Sequence, residues 1–307
     1  MRRFSIAFVL LLVLVQACGL ISPATETGVS SQALTVAAGT LFAEVTASAP
    51  APTEPIPVPP PTSPASTESA NYQLKEERLI GAYAIRWWHD ANNEIGFNDV
   101  VMIEAGGKPS VRIDSASAIE DLTGTDINGD GYPEVIVDTY SGGAHCCFGT
   151  RVISLRDLPV SILQKPESNA GGVFQDLNGD GIYEFLTADD LFAYKYCPYA
   201  GSPFVRVIME YDPGQDQYIP ASPRFADQFG EDIQEHAAWA QQAQPGDHGE
   251  QDNTTKCAVL PLVLDYLYSG QPDKAHSELQ RIYPYPDAES FWNEVLAAVQ
   301  GSPFFTH

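Results

Sequence analysis

A nine-residue pattern occurs twice, fifty residues apart: Asp126-Ile127-Asn128-Gly129-Asp130-Gly131-Tyr132-Pro133-Glu134 and Asp176-Leu177-Asn178-Gly179-Asp180-Gly181-Ile182-Tyr183-Glu184. Side-chain oxygens stand at positions 1, 3, 5 and 9, and position 7 offers a backbone carbonyl. Hard oxygen donors at this spacing are what a Ca²⁺ ion takes, and glycine at the sixth position permits the sharp turn that gathers them. The competing reading is a pair of tight Asn-Gly and Asp-Gly hairpin turns with solvated acids. Two copies at fixed spacing, each running straight into an apolar segment, favour the metal.

An EF-hand opens in the same way but needs a bidentate Glu at its twelfth position. Here that position is Val137 in one copy and Thr187 in the other. The acid falls instead at the ninth position, directly before Val135-Ile136-Val137 and Phe185-Leu186. This arrangement resembles the calcium loops of the FG-GAP and VCBS-type repeats of integrin-like β-propellers, in which the loop joins two strands of a blade. The likeness covers about residues 115–190. It implies that Asp126, Asn128, Asp130 and Glu134 hold one ion through side chains with the carbonyl of Tyr132, and that Asp176, Asn178, Asp180 and Glu184 hold a second with the carbonyl of Ile182. The family usually has Asp at the ninth position, whereas both copies here have Glu. A closed propeller takes about four to eight four-stranded blades, and residues 72–225 have room for about three. The expectation is therefore an α+β protein with propeller-blade-like antiparallel units over residues 71–225, not a ring. Extracellular modules bind calcium at about 10⁻⁴ to 10⁻³ M, so the ions are expected to be structural.

The chain opens with Arg2-Arg3, an apolar run from Phe4 to Val15, and Leu14-Val15-Gln16-Ala17-Cys18. The run is too short to span a bilayer and reads as a secretory leader over residues 1–17. Its end resembles a bacterial lipobox, which implies lipidation of Cys18, attachment to a membrane through that lipid, and a place at the cell envelope. Residues 18–70 are rich in Pro, Thr, Ser and Ala, a composition that buries too little apolar surface to offset the entropy of ordering. They are expected to form an extended spacer. The leader carries two arginines and no acid, so its removal takes the net charge from −24 to −26. That sign excludes nucleic acid as a partner of the folded part and leaves an envelope protein or glycan.

Besides Cys18 there are Cys146, Cys147, Cys197 and Cys257. An even number in an exported chain reads as two disulfides. Adjacent cysteines rarely bond to each other, so one of Cys146 and Cys147 is expected to reach Cys197 and the other Cys257. The surrounding Gly142-Gly143-Ala144-His145-Cys146-Cys147 reads as a disulfide-bearing turn ahead of a soft-metal site or a thiol nucleophile, and two complete disulfides would exclude thiol chemistry.

Strands are expected at 79–88, 99–104, 110–113, 134–139, 151–155, 172–175, 184–187, 204–211 and 217–219, punctuated by Gly, Pro and Asp/Asn clusters. In the first of these, Tyr83, Ile85 and Trp87 read as a buried face in preference to a sugar-binding platform. Residues 226–307 read as helical: one helix through Phe229 to Ala240, a second over 255–268, a third opening at Pro272, and a fourth capped by Asp287 and ending at Gly301. The Tyr266–Leu279 hairpin looks like the turn of a single tetratricopeptide unit, and one unit makes no solenoid. No Gly-x-Ser-x-Gly, His-Glu-x-x-His or phosphate-loop pattern occurs. The functional expectation is a calcium-stabilised envelope lipoprotein with a binding or scaffolding role. The alternative is an envelope hydrolase acting on polysaccharide, which requires a pocket with two suitably spaced carboxyls.

Overall fold

The computed structural model describes residues 71–144, 146–242 and 253–306. The leader, Cys18, the spacer and His145 lie outside the described residues.

The described chain is α+β: three antiparallel four-stranded sheets, then four helices. The first sheet runs β1 (Tyr72–Ile80), β2 (Tyr83–Asp90), β3 (Val100–Glu104), β4 (Val111–Asp114). The second runs β5 (Ala116–Ile119), β6 (Glu134–Tyr140), β7 (Phe148–Ser154), β8 (Val160–Ser168). The third contains β9 (Val173–Gln175), β10 (Glu184–Asp189), β11 (Val205–Asp212) and β12 (Gln217–Pro220). Every strand pairs with its sequence neighbour, so each sheet is a meander. The helices are α1 (Gly230–Gln242), α2 (Asn253–Tyr268), α3 (Pro272–Ile282) and α4 (Ala288–Gln300).

Side-chain alternation sets the packing. In β6, Val135 and Val137 enter a core with Tyr83, Ile85, Trp87, Val101 and Ile103 of the first sheet. Ile136, between them, enters a second core with Phe185, Val207 and the helical residues Val263, Leu279 and Val295. The second sheet is thus a middle layer with both faces covered, which is why Val135-Ile136-Val137 of β6 is an unbroken apolar run. Val137, the residue that excludes an EF-hand, is fully buried in it.

Three expectations need correction. The proposed strand 79–88 is a hairpin: the chain turns at Gly81 (φ +57°), and Leu79 points to solvent on an edge strand rich in charge. β2 buries both faces, Tyr83, Ile85 and Trp87 on one and Trp88 with Val100 and Met102 on the other. The cysteines pair as Cys146–Cys147 and Cys197–Cys257. Cys146 and Cys147 occupy the turn between β6 and β7, whereas Cys197 lies in the β10–β11 connection beside α2, which carries Cys257. A bond between adjacent residues closes an eight-membered ring, and the backbone accommodates it with Cys147 at φ +84°. A Cβ on Gly143 would stand 2.7 Å from the Cys146 sulfur, so glycine there makes the room. Both disulfides are complete, so among the described residues the four cysteines offer no thiol nucleophile or thiolate ligand.

Asp287 precedes α4 as expected but caps nothing with its side chain. Its carboxylate instead accepts Lys256 Nζ at 2.7 Å and the Tyr283 hydroxyl at 2.8 Å. Lys256 is buried in α2, and a buried ammonium claims the nearest counter-charge first.

Candidate metal centres

The two acidic loops occupy equivalent places: the first joins β5 to β6 and the second joins β9 to β10, each the first connection of its sheet. The first sheet has only the tight turn at Gly81 there.

Their internal hydrogen bonding shares five bonds; the first loop adds Asn128 Nδ2 donating to Asp130 Oδ2 at 3.2 Å, and the second adds the Asp180 amide donating to Asp176 Oδ1 at 3.2 Å. The opening aspartate accepts two amides: Gly129 and Gly131 donate to Asp126 at 2.8 and 2.9 Å, and Gly179 and Gly181 to Asp176 at 2.7 and 3.0 Å. Asn128 Oδ1 accepts the Asp130 amide at 3.1 Å, and Asn178 Oδ1 that of Asp180 at 2.9 Å. Asp130 and Asp180 each accept the amide two residues on, from Tyr132 and Ile182, at 2.8 Å. The glutamates reach back to the second residue: the Ile127 amide donates to Glu134 Oε2 at 2.9 Å and the Leu177 amide to Glu184 Oε2 at 2.8 Å. Gly131 and Gly181 sit at φ +89° and +85°, a region that penalises residues with a Cβ. Four side chains of one pattern accept amides of their own loop, twice.

The loops also touch. The Tyr183 amide donates to the Ile127 carbonyl at 2.8 Å. That N–H belongs to the same peptide group as the Ile182 carbonyl, the expected ligand at the seventh position of the second loop. The first loop therefore orients the peptide group that carries this expected ligand. Tyr218 closes the junction from β12, its hydroxyl donating to the Tyr183 carbonyl at 3.0 Å.

Whether the residues suit an ion is tested by Glu134. Its side chain is fully buried, and its Oε1 atom has no hydrogen-bond partner, although Ser154 stands opposite it in the β6–β7 ladder. Burial pushes its carboxyl up to about 7, despite the Ile127 amide. Burial also raises Glu184. A buried carboxylate oxygen without a donor, in a side chain that also feels Asp130 and Asp126, is costly unless it is protonated or a cation lies against it. The donor set is all hard oxygen, as calcium requires. Among the described residues, no three or more His, Cys, Asp or Glu side chains converge into a finished cage. The carboxylates of the loops are held by their own amides.

A residue outside the pattern completes the first loop. Arg156, just past β7, donates through Nε and one terminal nitrogen to Asp130 Oδ2, at 2.9 and 2.5 Å. Its terminal nitrogens also bond Asp216, in the β11–β12 turn, at 2.7 Å each, and the Tyr211 hydroxyl at 3.1 Å. The Asp216 bonds hold this guanidinium more firmly charged than usual, and Arg156 in turn holds Asp216 below the ordinary carboxylate range. Nothing in the local sequence marks Arg156, because its partners are 26 and 60 residues away.

Two other polar sites escaped the sequence. His236 of α1 lies 2.6 Å through Nδ1 from Asp265 of α2, beside a cleft of about 240 Å³ rimmed by Phe204 and Trp239. Burial opposes the imidazolium, but the Asp265 hydrogen bond and neighbouring acids outweigh it and raise His236. Glu120 and Asp138 line a cavity of about 90 Å³ between the second and third sheets. Burial, then Asp138, raises Glu120 to about 7. Such a carboxyl pair is what the hydrolase alternative asks for, but ligand pockets run to about 300–1,000 Å³, and this one admits water and no sugar ring.

No protein-family profile and no solved structure matches the chain. It is 29% identical over 172 residues to a probable thylakoid lumen protein of Synechocystis, covering 55% of this chain and 48% of that one. It is 31% identical over 81 residues to an uncharacterized protein of Sinorhizobium fredii, covering 26% of this chain and 13% of that one. The chain thus spans half or less of the curated relatives it matches.

Proposed function

We propose that this is an exported protein whose sheets are stabilised by calcium at the two acidic loops, tethered to the envelope by lipid on Cys18, with a binding or scaffolding role toward an envelope protein or glycan. The observation that carries it is the shared set of amide hydrogen bonds that the two loops build around buried Glu134 and Glu184. Asp126, Asn128, Asp130 and Glu134 would hold one ion, and Asp176, Asn178, Asp180 and Glu184 the other. The ion supplies positive charge and linkage energy, which stabilises the folded state as calcium rises. The three meanders are read as blade-like units, in keeping with the likeness to FG-GAP and VCBS repeats. The relative named for the thylakoid lumen supports export, since that compartment lies across a membrane from the site of synthesis.

Thermal unfolding of the full chain in detergent tests the reading. Excess calcium should raise Tm by several degrees over chelator, and magnesium should do so much less. An unchanged Tm would reject it.

A further inference from the structure

We infer that Arg156 is a tethered cation that competes with calcium for the first loop, so that two loops alike in sequence bind the ion unequally and the second fills first. The inference rests on the calcium reading above and concerns how that site is regulated.

The competition is localised to one atom. Asp130 and Asp180 use Oδ1 identically, to accept an amide two residues on. In the first loop Asp130 Oδ2 is held by two nitrogens of Arg156 and, at 3.2 Å, by Asn128 Nδ2. In the second, no Lys or Arg among the described residues forms an ion pair with Asp176, Asp180 or Glu184, and the charges felt by Glu184 are those of Asp180 and Asp176. The oxygen that the second loop leaves for an ion is the one Arg156 occupies in the first.

Arg156 is placed there by the rest of the fold. Its backbone carbonyl accepts the Tyr83 hydroxyl of β2 at 2.7 Å, and Asp216 and Tyr211 hold its head from the third sheet. An ion entering at Asp130 must share or displace a guanidinium that cannot swing freely away, and its positive charge repels the ion. The same first loop carries the orphaned oxygen of Glu134, so both a demand for a cation and a resident competitor meet at one place. Filling that loop loosens the link from Asp130 through Arg156 to the β11–β12 turn, so that its occupancy is felt by the third sheet as well as by its own. A prop that merely orients Asp130 for calcium would act with the opposite sign.

The test is a calorimetric Ca²⁺ titration of the full chain in detergent at low ionic strength, with the second loop disabled by Asp176→Asn and Asp180→Asn. Arg156→Gln should raise the affinity of the remaining loop about fivefold or more, as the competitor's charge is removed. Asp216→Asn should lower it, because Arg156 then keeps Asp130 as its sole carboxylate partner. Asp216 sits at φ +57°, a conformation asparagine accepts, so this variant decides the matter if Arg156→Gln fails to fold. In the chain with both loops intact, two unequal binding steps are expected. Weakened or unchanged affinity in Arg156→Gln, or tighter binding in Asp216→Asn, overturns the inference while leaving the calcium reading standing. No calcium uptake by the intact chain or any variant overturns both.

Discussion

The two acidic loops are the same nine-residue device in different surroundings, and the difference separates what a motif encodes from what a fold adds. Both place a carboxylate at the opening position on two amides and a buried glutamate on the second residue's amide. Beyond that they diverge. In the first, Asn128 is buried, Glu134 is sealed, and Arg156 grips Asp130. In the second, Asn178 and Asp180 are exposed and no described cation approaches. The motif fixes the turn, whereas sheet stacking decides how much of its charge is already answered. The hydrogen bond from the Tyr183 amide to the Ile127 carbonyl ties the two loops together.

The comparison yields predictions of decreasing size. At calcium about a hundredfold above Kd, each loop should contribute about 2.7 kcal/mol, so chelation of the wild type removes about twice that, read as a fall in Tm. Asp126→Asn with Asp176→Asn should abolish the calcium-dependent part. Single substitutions should then split the loops. In chelator, Asp130→Ala is expected to cost about 1–2 kcal/mol, because it removes two charge-assisted hydrogen bonds from Arg156, which keeps only Asp216 and Tyr211, while Asp180→Ala stays within about 0.5 kcal/mol. Equal costs in denaturant titrations would erase the asymmetry.

A smaller effect distinguishes the loops by pH. Glu120 opens the connection that carries the first loop, and its folded carboxyl is raised from the usual range to about 7. A raised acid pKa means the folded state binds the proton more tightly. Its contribution is therefore fully present below the unfolded value and is lost as pH rises through 7. Glu120→Gln should stabilise the protein at pH 8 by about 1 kcal/mol after solvent screening and by little at pH 4, measured as the difference in unfolding midpoint. A gain of the same size at both pH values would remove Glu120 from the account.

Much of the architecture was legible because it follows from local rules. The third helix opens with Pro272 in its first turn, the second stops before Gly270, and the buried strands of the middle sheet announce themselves by β-branched runs. The strands that escaped detection lack that signal. β8 carries Lys165 and Pro166 behind only Ile162 and Leu163, and its buried ammonium is satisfied by Phe148 O, Pro166 O and Ser168 Oγ, contacts no local pattern reveals. β1 is a charged edge, and β5 is four small or modest residues. The places of the two loops, each running directly into a buried strand, were legible because nine consecutive residues make them, whereas the amides their oxygens accept were not. Arg156, the Glu120–Asp138 pair and the His236–Asp265 pair were not, because each joins elements distant in the chain.

Counting bound calcium tests the central claim most directly: equilibrium dialysis of the purified full chain against radiolabelled Ca²⁺ at millimolar concentration, for the wild type and for Glu134→Gln with Glu184→Gln. Saturation at about two ions per chain in the wild type, with loss of both in the double variant, is the result expected from the all-oxygen donor sets of the two loops. A wild type that binds no more calcium than the double variant would contradict it.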